Sequence, residues 1–366
     1  MKKVLIALLV FTMGFTLAAC PEDEDVEIAM ITDYGDIDDE SFNQGTWEGI
    51  VEYAEEHGIE YGYYRPAEVS DAEYLASIDM AVEDGADIII TPGFLFEQAV
   101  WEAQYEYPDV KFVLLDGEPR ETEESDPDVA DNTVGVYYEE HESGFLAGYG
   151  AVREGLTDLG YMGGIAVPAV VDFGIGFIAG AYYAAAKEDA ELNFPDDRYT
   201  FLGSFDPSDE YESQADGWYG GGTEVIFAAA GGAGTSIMSA AGANDAWMIG
   251  VDVDQSAESD TVLTSAMKDL AGSVQLILDE YYDDNFPGGE TRHLGADQDG
   301  VGLPVEREDD IDPWRFETFT VEQYENIFDQ IADGSVVVPD SYADLLDFID
   351  ENDLDAIDIE EDTVEP

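Results

Sequence analysis

The chain has few basic residues, one cysteine and three histidines. Its 366 residues include 86 Asp and Glu but only 12 Lys and Arg, which gives a formal net charge of −74. A surface of this sign repels nucleic acid and anionic lipid headgroups, so neither is an expected partner. Because self-repulsion at such a charge is severe without screening, we expect a strongly saline working medium.

The single cysteine excludes an intramolecular disulfide and a thiolate metal site. His57, His141 and His293 are scattered along the chain, which disfavours a metal or acid–base role. No P-loop, nucleophile elbow or His-Glu-x-x-His motif occurs. The acidic run 36–40 has the Asp-x-Asp-x-Glu spacing of a calcium loop, but Ser41 stands where that loop requires glycine. We therefore expect no metal and no cofactor.

The first 20 residues have the layout of an export signal with a lipidation site. Lys2 and Lys3 precede an apolar stretch, and Leu17-Ala18-Ala19-Cys20 resembles a lipobox, in which the cysteine is acylated and becomes the mature N-terminus. Residues 1–20 are predicted to be a lipoprotein signal peptide and 21–25 an acidic tether. The predicted location is the extracytoplasmic face of the cell membrane. An ordinary secretory signal with an incidental cysteine is the alternative.

The rest of the chain alternates strand-like and helix-like segments. With 45% apolar and 12% aromatic residues, the chain is long and apolar enough for two packed domains. From Val26, short apolar runs such as VEIAMI and ADIIIT alternate with helical periodicity, and the series restarts after NTVGVYY. Repeats of this size predict parallel sheets with helices on both faces. The sequence therefore predicts two Rossmann-like α/β lobes.

The restart gives the lobe boundaries. Residues 26–136 are predicted to form the N-terminal lobe, completed by part of 261–300. Residues 137–255 are predicted to form the C-terminal lobe, completed by part of 300–350, and 351–366 an acidic tail. A chain that returns between lobes in this way forms a multi-strand hinge. Because ligands of parallel α/β sheets bind at the carboxyl ends of the strands, we expect a ligand in the cleft between the lobes.

The loops after the predicted strands combine glycine, aromatic residues, Asp and one Lys. They are 32–43, 91–96, 116–118, 167–173, 230–234, 252–255 and 265–268. This composition is typical of a site for a neutral polar ligand, because a phosphorylated ligand needs more cationic donors. The glycines Gly174, Gly176 and Gly180 lack the spacing of a dinucleotide fingerprint and are predicted to be helix-packing positions.

Seven segments carry the most specific pattern in the chain. They are TDYGDIDDESFNQGTWEG, GFLFEQAV followed by YPDVKFVLLDG, EHESGFLAGYGA, FGIGFIAGA, AAAGGAGT, IGVDVDQ and VLTSAMK. Together, from Val26 to Gly300, they resemble the basic membrane protein family of ABC-transporter substrate-binding lipoproteins, of the purine nucleoside receptor type. The resemblance implies a type I periplasmic-binding-protein fold, a purine nucleoside in the interlobe cleft, and delivery to a separate permease and ATPase.

For the base, the resemblance implies a sandwich between Phe42 and Phe173, with polar contacts from Asp33, Asn43 and Asp116. A purine has two flat faces and an edge of donors and acceptors, and these residue types suit it. Stacking on an aromatic ring contributes about 1 to 3 kcal/mol per base. At the edge, an amide both donates and accepts, whereas a carboxylate only accepts. Without the resemblance, Phe42 at a helix start is equally well read as a core residue.

For the sugar, the resemblance implies that Asp252 and Lys268 hold the ribose hydroxyls and that the backbone at Gly231 and Gly232 lines the pocket. Carboxylates suit ribose diols, as in dinucleotide-binding folds. A salt bridge from Lys268 to a carboxylate in the cleft is the alternative. Asp172 departs from the family, which often has a basic or neutral residue before the stacking phenylalanine, and this leaves the preferred nucleoside open.

Two other functions stay open. A nucleoside or sugar hydrolase could use Asp33 and neighbouring acids on a similar cleft, although it needs a paired general acid and base. A ligand sensor that signals to a membrane partner has an identical cleft. The acids around Phe42 are predicted to serve solvation, with Asp38 or Asp39 capping the helix that follows.

Overall fold

The computed structural model describes residues 26–33, 35–122, 124–307 and 311–366, so the predicted signal peptide, Cys20 and the acidic tether lie outside the described residues. The strands are β1 Ile28–Ile31, β2 Tyr61–Tyr64, β3 Ile88–Pro92, β4 Lys111–Leu115, β5 Thr133–Tyr138, β6 Leu159–Gly163, β7 Tyr199–Phe201, β8 Val225–Phe227, β9 Trp247–Asp252, β10 Val262–Lys268, β11 Glu290–Leu294 and β12 Val301–Gly302. The helices are α1 Phe42–His57, α2 Asp71–Glu83, α3 Glu97–Glu106, α4 Glu140–Glu154, α5 Pro168–Glu188, α6 Asp209–Gly220, α7 Gly234–Asn244, α8 Leu270–Tyr282, α9 Val321–Ala332, α10 Tyr342–Glu351 and α11 Glu361–Val364.

These strands form two six-stranded sheets, one in each lobe. The N-terminal sheet has the order β11-β5-β4-β3-β1-β2 and is parallel throughout. The C-terminal sheet has the order β12-β10-β9-β8-β6-β7 and is parallel except where β12 pairs with β10. The prediction of two α/β lobes is confirmed.

Both faces of each sheet are covered, which explains why the strands are continuous apolar runs. In β1, Ile28 and Met30 pack with residues of α1 and α8, whereas Ala29 and Ile31 pack with residues of α2 and α3. All four side chains are fully buried. The period of two in a strand therefore sends alternate residues into two separate helix layers.

Three segments of the described chain connect the lobes and form the hinge. The first, 138–140, joins β5 to α4; the second, 268–270, joins β10 to α8; the third, 294–301, joins β11 to β12. The segments are hydrogen-bonded to one another. Glu139 N donates to Leu294 O at 3.1 Å, and the amide of Asp269, in the second segment, donates to the third at 2.9 Å.

The predicted boundary of the C-terminal lobe at residue 255 is too early. β10 pairs in parallel with β9 and so belongs to the C-terminal sheet. The chain returns to the N-terminal lobe with α8, which packs against α1. β11 then joins the N-terminal sheet beside β5, and β12 joins the C-terminal sheet. An apolar strand fits either sheet equally well, so the sequence does not predict to which lobe β10 belongs.

The acidic segment 351–366 is packed against the C-terminal lobe. Its helix α11 contacts β7 and α5, and Ile359 and Val364 are buried. Tyr342 Oη donates a hydrogen bond to the carbonyl oxygen of Ile359 at 2.8 Å. Two apolar side chains among many acids are thus enough to attach this segment, and the description of 351–366 as a tail needs that correction.

Helices α4 and α5 pack backbone to backbone. A Cβ atom on Gly176 would overlap the carbonyl oxygen of His141, and one on Gly180 would overlap that of Phe145. The predicted packing role of these glycines is confirmed. Helix α5 is long and apolar enough to cross a membrane, but 72% of its apolar stretch is buried inside the protein, as in the core helix of a globular lobe.

Replacing Gly176 with Ala should lower the free energy of unfolding by about 1 to 3 kcal/mol, because the added methyl group must push α4 and α5 apart. Gly217 in α6 is the matched control, since nothing lies within 4 Å of its Cβ position. Gly217→Ala should stabilise the protein by up to about 1 kcal/mol through helix propensity. Urea unfolding at fixed high salt measures both. Equal effects of the two substitutions would contradict the close packing.

Candidate ligand site in the interlobe cleft

One cleft of ≈ 770 Å³ lies between the lobes, at the carboxyl ends of the strands of both sheets. Its volume is within the usual range of small-molecule sites, roughly 300 to 1,000 Å³. All nine predicted ligand residues line it: Asp33, Phe42, Asn43, Asp116, Phe173, Gly231, Gly232, Asp252 and Lys268. They come from six of the seven predicted loops, so the fold brings together residues that are far apart in the sequence.

On the N-terminal side, Asn43 is held by hydrogen bonds within its own lobe. Its Nδ2 atom donates to Asp33 Oδ1 and to Asp39 Oδ2, both at 2.9 Å. Asp39 also accepts the backbone amides of Ser41, Asn43 and Gln44 at the start of α1, which confirms the predicted helix cap. Burial raises the pKa of Asp39 above its ordinary value. Asn43 thus positions the carboxylate of Asp33 at the cleft.

Lys268, the last residue of β10, carries the positive charge at the centre of the cleft. Its side chain is 2% exposed, and its Nζ atom lies 2.6 Å from Asp116 Oδ2, 2.9 Å from Glu140 Oε1 and 3.8 Å from Asp252 Oδ1. Burial alone would lower the pKa of Lys268, but the three carboxyl groups outweigh it and raise the pKa well above its usual value. Lys268 is therefore protonated, and the salt bridges raised as an alternative are present.

Asp116 and Asp252 have a left-handed backbone at the ends of β4 and β9, with φ of 52° and 65°. This conformation costs a non-glycine residue on the order of 1 to 3 kcal/mol and is common at functional sites. Asp252 also accepts a hydrogen bond from Ser41 Oγ of the other lobe. Within the described ranges, Asp116 Oδ1 is buried and has no hydrogen-bond partner. Asp116 therefore has one carboxylate oxygen that no described group of the protein satisfies.

Aromatic rings surround the Lys268 ammonium group. The ring centroids of Phe42, Tyr138 and Phe173 lie 4.8, 5.5 and 5.4 Å from Nζ. Phe42, the first residue of α1, is partly exposed, whereas Phe173 is 2% exposed and packs edge-on against Phe227. The two predicted stacking residues therefore differ in how much ring surface they offer to the cleft.

The loop predicted at 167–173 is wrong beyond its first residue. Helix α5 begins at Pro168, at a position that favours proline because no amide donor is needed there. Phe173 lies in the second turn of this helix. Gly174, predicted to be a helix-packing position, instead packs against β7, where Tyr199 Oη occupies the space that a Cβ would need.

Phe205, which is not among the predicted residues, lines the cleft from the C-terminal lobe and is partly exposed. A Cβ on Gly231 would lie 3.4 Å from the ring of Phe205. The backbone carbonyl oxygen of Phe205 accepts a hydrogen bond from the amide of Ala233 at 2.7 Å. Gly231 has φ of 52°, in the left-handed region that favours glycine, and it lies next to the Phe205 ring. Phe205 follows β7, so the rule that points to the ends of parallel strands identifies it too.

Two carboxyl groups in the cleft bind protons near neutral pH. Burial raises the pKa of Glu140 to about 8; Lys268 opposes this shift and Asp116 adds to it. Burial and the nearby carboxylates of Asp340 and Glu139 raise the pKa of Asp172 to about 7. At pH 7 Glu140 is therefore mostly neutral. Like Phe205, Glu140 was not predicted, because a glutamate at a helix start suggests a favourable interaction with the helix dipole.

The sequence profile described as "ABC transporter substrate-binding protein PnrA-like", of the Bmp family, matches residues 26–340. The chain belongs to this family. Relatives of this Bmp protein include the CD4+ T-cell-stimulating antigen of Listeria monocytogenes, which is 28% identical over 93% of this chain and 99% of the relative. The ABC transporter nucleoside-binding protein BmpA of Lactococcus lactis subsp. cremoris is 28% identical over 77% of this chain and 82% of the relative.

Basic membrane protein A of Borreliella burgdorferi is another relative of this Bmp protein, 27% identical over 93% of this chain and 96% of its own length. Among solved structures, an ABC transporter solute-binding protein from Aeropyrum pernix K1 matches with a TM-score of 0.73 at 21% identity, over 90% of this chain and 97% of that one. At this identity the likeness concerns the fold. The predicted family and the type I periplasmic-binding fold are confirmed, and the chain is an ABC transporter substrate-binding protein.

Proposed function

We propose that this Bmp protein is a lipid-anchored receptor that binds purine nucleosides in its interlobe cleft and delivers them to an ABC permease and its ATPase. The observation that carries the proposal is the cleft itself, where one lysine is surrounded by carboxyl groups and aromatic rings. This combination suits a flat, uncharged ligand with several hydroxyl groups. The nucleoside-binding name of the Lactococcus relative supports the same ligand class, and the lipobox at Cys20 supports the anchor.

The base fits between an aromatic ring of each lobe, Phe42 and Phe205. Both rings are partly exposed in the cleft, and stacking on both faces of a purine fills the gap between the lobes. Phe173, the second ring in the sequence-based prediction, supports this surface from behind, because it is buried among core residues. Asp33 accepts a hydrogen bond from the N–H edge of the base, and Asn43 holds it in place.

The ribose lies beside Lys268, Asp116 and Asp252. Asp116 has a buried oxygen without a partner in the described ranges, which suits a hydroxyl donor. Lys268 donates to hydroxyl oxygens, and Asp252 contacts both lobes through Ser41 and Lys268. A sugar bound here links the two lobes, as an importer's receptor requires for a closed, ligand-bound form.

Isothermal titration of the signal-free protein in high salt tests the proposal. Inosine, guanosine and adenosine should bind with Kd on the order of 10⁻⁶ M or lower, equivalent to about −8 kcal/mol, while ribose should give no heat of binding. Cytidine tests whether the smaller base suffices. Binding of ribose alone, or of none of these compounds, would overturn the nucleoside assignment.

The same samples separate the receptor from a nucleoside hydrolase. After prolonged incubation with inosine, chromatography should find intact nucleoside and no free hypoxanthine. Within the described ranges, no group of His, Cys, Asp and Glu side chains is arranged to hold a metal ion. Release of free base in proportion to protein concentration would favour the hydrolase instead.

A further inference from the structure

Glu140 occupies a special place in the hinge. It is the first residue of α4 and the last residue of the first hinge segment, and Lys268 is the residue at which the second hinge segment begins. The contact of 2.9 Å between Glu140 Oε1 and Lys268 Nζ therefore connects two of the three segments on which the lobes turn. Both side chains are almost completely buried, at 5% and 2% exposure.

The three carboxyl groups around Lys268 differ in what else they contact. Asp252 accepts from Ser41 and lies 3.8 Å from the ammonium group. Asp116 contacts Lys268 with one oxygen, and its other oxygen is buried without a partner in the described part of the chain. Glu140 is the first residue of α4 and also lines the cleft. The contact of Glu140 with Lys268 Nζ holds the ammonium group from the first hinge segment.

We propose that Glu140 is a positioning residue of the ligand site, which holds the Lys268 ammonium group at the hinge so that Asp116 and Asp252 keep oxygen atoms available for ligand hydroxyls. The inference rests on the proposed function for the identity of the ligand. The placement of Lys268 by Glu140 is independent of that identity and has a readout without ligand.

The charged groups that act on Glu140 come from three other parts of the fold. They are Lys268 of β10, Asp116 after β4 and Asp172 of α5. In this setting the pKa of Glu140 is about 8, above the ordinary value of about 4.3 for an unfolded chain. A pKa raised by folding means that the folded state loses stability as the pH rises toward and through 8. Glutamine at position 140 is neutral at every pH, so the folded state of Glu140→Gln does not lose this stability as the pH rises.

Three variants test the proposal: Glu140→Ala, Glu140→Gln and the control Glu142→Gln. Glu142 lies on the same helix, and its carboxylate accepts the amide of Ala296 in the third hinge segment at 2.6 Å, outside the cleft. At pH 7, Glu140→Ala should raise the Kd for inosine at least about tenfold, the effect of losing a hydrogen bond to a charged group. Glu140→Gln keeps an acceptor for Lys268 and should stay within about threefold of the wild type, as should the control.

Thermal unfolding without ligand gives the second readout. The difference in Tm between Glu140→Gln and the wild type should grow in favour of the variant from pH 6 to pH 9, whereas Glu142→Gln should show no such trend around pH 8. This series uses the conservative variant, so it decides the question even where Glu140→Ala does not fold.

The outcomes separate this inference from the proposed function. Wild-type protein that binds inosine, with Glu140→Ala weakened and Glu140→Gln preserved, supports it. Equal affinity of wild type and Glu140→Ala overturns it while the receptor function stands. Should the wild type bind no nucleoside, the receptor proposal fails, and a double-mutant cycle without ligand decides on the contact between Glu140 and Lys268. Unfolding free energies of Glu140→Gln and Lys268→Met that couple support the placement of Lys268 by Glu140, and effects that simply add overturn it.

Discussion

Replacing Phe42 and Phe205 together with Ala should nearly abolish inosine binding while the protein stays folded. Each ring stacked on a base contributes about 1 to 3 kcal/mol, so losing both faces costs about 2 to 6 kcal/mol, or roughly 30-fold to 10⁴-fold in Kd. Both rings are partly exposed, so little core packing is lost. Titration calorimetry gives the affinity, and circular dichroism establishes that the double variant is folded.

Phe173→Ala is the informative contrast. Its side chain is 2% exposed and packs against Phe227 with ring centroids 5.8 Å apart, so truncation should lower the free energy of unfolding by about 3 to 5 kcal/mol. The fraction that remains folded should bind inosine with nearly wild-type affinity. If Phe173→Ala weakened binding and Phe205→Ala did not, the second stacking surface would belong to Phe173, as the sequence alone predicts.

Replacing Lys268 with Met should cost about 3 to 5 kcal/mol of stability and eliminate measurable nucleoside binding. Removing one partner of a buried charge cluster leaves the others uncompensated, and here three carboxyl groups with exposures of 13%, 5% and 10% lose their common cation. Urea unfolding at constant high salt measures the loss of stability. Calorimetry on the folded variant measures the loss of binding.

The loss at Lys268 should depend on pH in a defined direction. Without the ammonium group the pKa values of Glu140 and Asp252 rise further above their ordinary values, because burial is no longer opposed by the nearby positive charge. Raised carboxyl pKa values destabilise the folded state as the pH rises, so the cost should be smaller at pH 5 than at pH 8. Lys187→Met, an exposed lysine over the ring of Tyr183, should cost no more than about 1 kcal/mol at either pH. An equal cost for both lysines would contradict the cluster.

Much of the fold follows from local patterns. The apolar spacing predicts helices over 97–106 and 270–282, and these bounds agree with α3 and α8, because apolar spacing and flanking turn residues are local signals. The lobe to which β10 belongs does not follow from local patterns. It depends on the pairing of β10 with β9, which an apolar run does not specify. The start of α5 at Pro168 is not predicted, because the sequence assigns 167–173 to the loop that follows β6. The contact of Gly174 with Tyr199 becomes visible only in three dimensions.

The candidate site likewise combines residues that local sequence patterns predict with residues that only three-dimensional contacts reveal. Asp33, Asp116 and Lys268 stand at strand ends, where the rule for parallel sheets directs attention. Glu140 stands at the start of a helix, and its significance comes from a contact with Lys268 across the hinge. Phe205 was not predicted because it lies in none of the seven segments that carry the family resemblance, although it lines the same cleft.

The glycine-mediated contact of α4 and α5 has a mechanical consequence. Helices that touch through their backbones have no side-chain layer in which to slide, so sliding motions inside the C-terminal lobe are suppressed and the lobe turns as a rigid body. All angular change then falls on the three connecting segments. Lys268 and Glu140 belong to these connecting segments, where a displacement of a few tenths of an ångström produces a much larger movement at the outer edges of the lobes.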